Sequence, residues 1–325
     1  MQIEVTRGGR VESRHAIAFA VSDARGGLLL SGGDVEAAIF PRSAVKVIQA
    51  LPLVESGAAD RFGLDDEALA LACASHNGEA AHAAVAARTL SRLGLDAAAL
   101  ECGAHWPSLP EAARGLACEA PGRPSALHNN CSGKHSGFLC LACGLDVAPR
   151  GYIRPEHAVQ RAVKSALEAV AGVTLPEGSH GIDGCSIPTY ALPLAALAQG
   201  FARLGTGEGL SAGHAAAAAR LRAAVAAHPF MVAGTGRFDT AVMTALGARA
   251  FTKVGAEGVF CAILPEQGLG IALKCADGAT RAAEVAMAAL LARLLPDLPE
   301  EVSTLAAPVM RNWNGIEVGR MRAVF

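Results

Sequence analysis

Four side chains in this sequence have the types and order needed for serine–lysine chemistry. Ser43-Ala44-Val45-Lys46 is expected to open a helix. Ser75-His76-Asn77 follows the end of another, and Lys253-Val254-Gly255 leads toward a late hairpin. Residues three apart on a helix are neighbours, so Ser43 and Lys46 share a face and the amine comes within reach of the hydroxyl. A serine attacks well only when a base takes its proton. A lysine, ordinarily titrating near pH ~10.4, can be that base only if burial or a second cation lowers its pKa. Lys253 is a source of that cation if its strand lies beside the helix start; alternatively it is itself the base for Ser75.

Each motif alone is weak, because S-x-x-K is common as a surface lysine one turn after a capping serine, and Ser75-His76-Asn77 also fits a plain helix-ending turn. In order they match, loosely, the S-x-x-K, S-D-N and K-T-G pattern of serine β-lactamases and penicillin-binding enzymes. A second cluster is the loop His128-Asn129-Asn130-Cys131-Ser132-Gly133-Lys134-His135, which runs into the apolar stretch FLCLACG. Polar density before a helix marks a functional loop. Cys131, the later Cys185 of Gly181-Ile182-Asp183-Gly184-Cys185, and one nitrogen from the loop would give zinc three ligands and leave a position for water. Spacing alone favours His135 as that nitrogen, since a neutral imidazole is the commoner ligand. Two further readings stay open: buried cysteines that only fill space, and Cys131 as a thiol nucleophile beside His135. Cys73, Cys102, Cys118, Cys140, Cys143, Cys261 and Cys275 receive the space-filling reading.

The elements that must position these residues are strands at both ends and helices between. IEVTRGG, HAIAFAVSD and LLLSGG, with a turn at 24–27, read as strands. So do GVFCAILPEQGLGIALKCADG, with its turn at Pro265-Glu266-Gln267-Gly268, and the closing GIEVGRMRAVF. A helix is expected over 43–55 and another over 279–295. Between about 60 and 245 the pattern is helical, as in EAAHAAVAARTLSRLG and PEHAVQRAVKSALEAVAG. The expected class is α+β: one antiparallel sheet built by both termini, covered by helices, with a mostly helical middle. Residues 1–58 and 246–325 would form a sheet-containing lobe and 59–245 a helical lobe of one catalytic unit, with the site in a cleft. Asp239, before TAVMTAL, reads as a helix cap.

Of 325 residues, 52% are hydrophobic and 18% charged, with a net charge of −2. That excludes a disordered chain and gives no basic footprint for nucleic acid or an acidic membrane. The expected partner is a small molecule. MQIEVTRGGRVESRH lacks the apolar core of a signal peptide, and no stretch is long and apolar enough for a membrane span. With nine cysteines, an odd number, the reading is of free thiols in a reducing, cytoplasmic setting.

FPRSAVK (40–46), CASHNGE (73–79), LHNNCSGKHSGF (127–138), GIDGCSIPTYALP (181–193) and HPFMVAGTGRFDT (228–240) together resemble the rhizobial-type, class 3 L-asparaginases of the asparaginase II family. The resemblance runs over nearly the whole chain. It implies a serine β-lactamase-like fold, a homodimer, and hydrolysis of L-asparagine to L-aspartate and ammonia. Carried over residue by residue, it pairs Ser43 with Lys46 and Ser75 with Lys253 as catalytic groups. It assigns zinc to Cys131, Lys134 and Cys185, choosing Lys134 where spacing alone favours His135. Expected substrate contacts are Arg42 for the carboxylate, Asp183 for the ammonium, and His135 and Asn77 for orientation. The rival readings are a glutaminase, a β-lactamase or penicillin-binding enzyme, and a non-catalytic zinc-stabilised binding protein.

Overall fold

β-Branched and apolar residues crowd the two ends of the chain, and there the sheet forms. The computed structural model describes residues 1–119 and 122–325. Seven strands lie in the order Val309–Arg311, Glu317–Val324, Gln2–Arg7, Arg10–Asp23, Leu269–Cys275, Val259–Leu264, Phe251–Val254, and Leu28–Gly32 also pairs with the long Arg10–Asp23 strand. Every pairing is antiparallel. The α+β class and the sheet made by both termini are as the sequence predicts, as are the turns at 24–27 and 265–268.

The chain divides into two compact units. The first comprises Met1–Ala44, Leu192–Thr206 and Ala241–Phe325. Its strand Val259–Leu264 is buried at every position, as expected of a strand covered on both faces. The helices Leu194–Thr206 and Thr280–Leu294 pack on this sheet. Leu194–Thr206 therefore belongs with the strands, although its place in the sequence groups it with the helical middle. Gly270 makes the close approach possible: a Cβ there would lie 2.1 Å from Ala198 O and 2.3 Å from Ala202 N.

The second unit, Val45–Ala191 with Gly207–Thr240, is mainly helical. Asp65 caps Asp66–Ala72 by accepting from Ala68 N (3.0 Å), and Ser211 caps Ala212–Ala227 by accepting from His214 N (3.1 Å). Ser132–Gly144 is buried from Ser132 through Ala142. Its Phe138 and Leu139 belong to an apolar cluster with Tyr152, Val159 and Ile187, of which Cys131 and Cys185 are also members.

Two local expectations are corrected. The helix predicted over 43–55 is three pieces: a 3-10 turn Arg42–Val45, then Lys46–Gln49, then Leu51–Glu55. Pro52, without an N–H, is accommodated at the start of the last piece. Asp239 is not a cap but lies inside the first turn of Phe238–Leu246. Among the described residues no helix is long and apolar enough to cross a membrane.

Gly270→Ala is expected to lower the unfolding free energy by about 1–3 kcal/mol, the usual cost of overpacking. A urea midpoint equal to that of the parent protein would contradict the close helix–sheet approach.

Candidate functional site

The Ser75 loop is fixed from both sides. After Asp66–Ala72 ends, Ser75 N donates to Val232 O (2.9 Å) and Asn77 N to Ala233 O (3.0 Å), while His76 N donates to Asn130 O (3.3 Å). Alternating partners of this kind hold three residues as an extended strip. Gly78 closes it at φ +77°, where a Cβ would sit 2.6 Å from His128 O. The His76 ring accepts from Gly78 N at Nδ1 (3.0 Å), leaving Nε2–H to donate to Ser132 Oγ (3.0 Å). It stacks on His82 with centroids 4.7 Å apart. Burial, then the nearby His82 and Lys46, pushes the pKa of His76 well below the ordinary histidine value. This ring is therefore a neutral brace.

Lys46 is fully buried at the start of its helix. Its Nζ lies 3.0 Å from Ser75 Oγ, 3.0 Å from Cys131 Sγ and 3.4 Å from Asn130 O, and it also donates to Ala74 O. The amine thus stands on Ser75, the serine that the family resemblance pairs with Lys253. The expected contact with the Ser43 hydroxyl is not made, since among the described residues the hydrogen-bond partners of Lys46 Nζ are Ala74, Ser75, Asn130 and Cys131. Ser43 is half-buried in the 3-10 turn one turn earlier, where residues three apart lie above one another. Its neighbour Arg42 has φ +51°, a left-handed conformation uncommon for a side chain of this kind. Lys253 is fully buried on Phe251–Val254 and donates to Val254 O (2.7 Å).

The Asn77 side chain is saturated by protein groups. Its Nδ2 donates to Thr235 O (2.9 Å) and Glu79 Oε1 (3.3 Å), and its Oδ1 accepts from Arg237 Nη1 (3.1 Å) and Ser108 Oγ (3.1 Å). Glu79 in turn accepts from Thr235 N (2.8 Å) and Thr235 Oγ1 (2.7 Å). Asn77 therefore holds the 235–237 turn in place. Glu79, Thr235 and Arg237 escaped the sequence reading, although all three lie in the signature segments CASHNGE and HPFMVAGTGRFDT.

Cys131, Lys134 and Cys185 converge. Lys134 Nζ lies 3.0 Å from Cys185 Sγ, and all three residues are buried. Cys185 sits in a tight hairpin the sequence does not announce: His180–Ile182 pairs with Pro188–Tyr190, and Ser186 turns the chain at φ +76°. The Asp183 carboxylate accepts from Gly184 N (2.7 Å) in that turn. A hydrogen bond from Cys185, opposed by burial and aided by Lys46 and Lys134, brings the Cys131 pKa well below the ordinary thiol range. Cys185 is pushed the other way, first by that same bond and then by burial. Burial works against the charge on Lys134, but Cys185, Cys131 and Asp183 outweigh it and raise its pKa.

A zinc ion fits this donor set. Zinc bonds of about 2.3 Å to sulfur and 2.0–2.1 Å to nitrogen at a tetrahedral angle put the two ligand atoms roughly 3.5 Å apart, slightly more than the 3.0 Å between Lys134 and Cys185. Among the described residues, no histidine, aspartate or glutamate completes a three-ligand group with the two cysteines. His135 is directed elsewhere: Tyr152 Oη lies 2.6 Å from its Nδ1 and accepts from Glu101 N (2.9 Å). With the hydroxyl hydrogen on the bond to Nδ1, the ring hydrogen is on the buried Nε2. Neither nitrogen then offers a lone pair to a metal, whereas Lys134 would bind as the neutral amine, its ammonium proton being released when the ion takes its place beside the thiolates.

The profile of the L-asparaginase II family matches residues 3–323. The chain belongs to that family. No curated protein sequence matches it. Among solved structures, a β-lactamase from Mycobacterium bovis is similar at 16% identity and a TM-score of 0.42, over 86% of this chain and 94% of that one. An asparaginase-type amidohydrolase is accordingly the class into which the geometry is read.

Burial lowers the pKa of His76 and His82 below the ordinary value near 6.5, so both stay neutral in the fold. Below about pH 6.5 the unfolded chain takes up protons that the folded chain refuses. Stability should be complete above that pH and fall beneath it, by up to about 1.4 kcal/mol per pH unit for each ring. Urea midpoints at decreasing pH should show the decline, partly flattened by His82→Gln; a profile unchanged by that variant would contradict neutral burial of His82.

Proposed function

We propose that this family member hydrolyses L-asparagine to L-aspartate and ammonia through an acyl-enzyme formed on a serine. The observation that carries this reading is the fully buried Lys46 amine at 3.0 Å from Ser75 Oγ, one helical turn after Ser43. Ser43 attacks the side-chain amide carbon as Lys46 takes its proton. The contact between Lys46 and Ser75 then provides a path along which the proton reaches the departing ammonia; for Lys253 the family resemblance alone supports the role of second amine. Backbone N–H groups at the Ser43 turn are suited to the developing oxyanion. Water cleaves the resulting ester by the same proton path in reverse.

Arg42 is the proposed grip on the substrate carboxylate, since a guanidinium holds carboxylate oxygens in pairs. Its strained backbone supports a functional role, because strain of this kind collects at working sites. His135, with its hydrogen on Nε2, suits an acceptor atom of the substrate, and Asp183 suits its ammonium. Asn77 acts through Thr235 and Arg237 as a positioning residue. Zinc on Cys131, Lys134 and Cys185 would supply positive charge that neutralises the thiolates beside Lys46. The residues themselves do the rest: Cys131 accepts from Lys46, and Lys134 bonds Cys185 in its hairpin.

Ammonia release from L-asparagine should fall roughly 10³-fold or more in Ser43→Ala and Lys46→Met, as expected when a nucleophile or its base is removed. Glutamine, longer by one methylene, should be discriminated by only about 10–200-fold. No ammonia from either amide in the well-folded parent protein would sink the assignment. Arg42→Gly removes both the guanidinium and the backbone strain, so kcat/KM should drop while the melting temperature holds or rises. A variant that keeps full activity would remove Arg42 from the site.

A further inference from the structure

A second group of donor atoms lies in the sheet unit, on residues far apart in sequence. His15 is on the long strand Arg10–Asp23, Cys275 ends the strand Leu269–Cys275, and Asp277 is in the turn before the helix Thr280–Leu294. The register explains the meeting. Cys275 pairs with Ile17, so it shares a face with Ile17 and with His15 two residues earlier. Ala276 N then donates to Ala16 O (2.9 Å), which folds the chain back and brings Asp277 over both.

The contacts are specific. His15 Nδ1 lies 2.6 Å from Asp277 Oδ2, and Cys275 Sγ lies 2.9 Å from Asp277 Oδ1. Asp277 Oδ1 also accepts from Ala279 N (3.0 Å). Arg281 Nη2 stands 3.3 Å from His15 Nε2. One atom each from the histidine, the thiol and the carboxylate lie within 4.8 Å of one another.

We propose that His15, Cys275 and Asp277 form a binding site for a zinc-like divalent cation, separate from the cluster at Cys131. The nitrogen, sulfur and oxygen set is one that borderline-soft zinc accepts, while magnesium and calcium take oxygen alone. His15 and Cys275 are buried on paired strands and are fixed ligands. Asp277, with half its side chain exposed, is the movable one. A tetrahedral ion needs ligand separations of about 3.3–3.6 Å, so the carboxylate must move outward by several tenths of an ångström, toward solvent. Its exposed side leaves the fourth position to water.

Arg281 is the group that opposes a cation here, and it has somewhere to go. It is exposed, and its charge already acts on Glu12 of the same strand as His15. In the present arrangement Arg281 donates to His15 Nε2 and the ring hydrogen lies on Nδ1, facing Asp277. When the ion binds Nδ1, that hydrogen transfers to Nε2, Cys275 releases its thiol proton to solvent, and the guanidinium turns to Glu12.

The test is metal titration of the chelator-treated full chain carrying Cys131→Ser and Cys185→Ser, so that the other thiolate cluster is silent. Co²⁺ should bind with one equivalent and show a thiolate charge-transfer band in the near ultraviolet. Cys275→Ser should abolish that band, and His15→Gln with Asp277→Asn should abolish the binding. Should the doubly substituted background fail to fold, the comparison moves to the parent chain. There His15→Gln with Asp277→Asn should bind one zinc fewer by equilibrium dialysis. Absence of saturable binding in the folded background, a band that survives Cys275→Ser, or an unchanged zinc count in the parent chain would overturn the site.

Discussion

The structure of the helical unit depends on how one buried amine is surrounded. Lys46 has no access to water and reaches four acceptors: Ser75 Oγ, Cys131 Sγ and the carbonyls of Ala74 and Asn130. A buried ammonium without partners would cost several kcal/mol, so the surrounding chain must deliver these acceptors accurately. The Ser75 strip supplies two of them and the Asn130-Cys131 corner the other two. The same geometry accommodates a neutral amine, with its lone pair toward the Ser75 hydroxyl and its hydrogens toward carbonyls.

Much of the rest of that unit reads as support for those two corners. Asn129 donates to Cys102 O and Gly103 O and accepts from Cys131 N, while His105 Nε2 accepts from Asn130 N. Gly133 lets the helix beginning at Ser132 press against Asp66–Ala72, since a Cβ there would lie 2.3 Å from Leu71 O. His76 ties the strip to Ser132 from the other side. Uncharged hydrogen bonds do this work.

Legibility in the sequence followed the range of the interactions. Sheet strands and long helices were readable because periodicity and turn residues are local signals, as with the turn at Pro265–Gly268. The Cys185 hairpin was not, because its strands are three residues each and its turn rests on Ser186 in a left-handed conformation. Ser43 and Lys46 could be matched by spacing, yet the partner that Lys46 holds, Ser75, lies 29 residues away. Choosing the nitrogen beside Cys131 depended on Tyr152, whose hydroxyl occupies His135. Spacing carries no trace of that contact; the family resemblance did point to Lys134. His15, Cys275 and Asp277 meet only through strand register, which no single segment reveals.

The most direct measurement is peptide mapping by mass spectrometry of protein quenched in acid during turnover of L-asparagine. If Lys46 strips the hydroxyl proton to make a covalent ester, an aspartyl group should be found on the Ser43 peptide of the parent chain and be missing from Lys46→Met. Full turnover with no ester on any serine, or an ester that forms equally well without the Lys46 amine, would contradict the account.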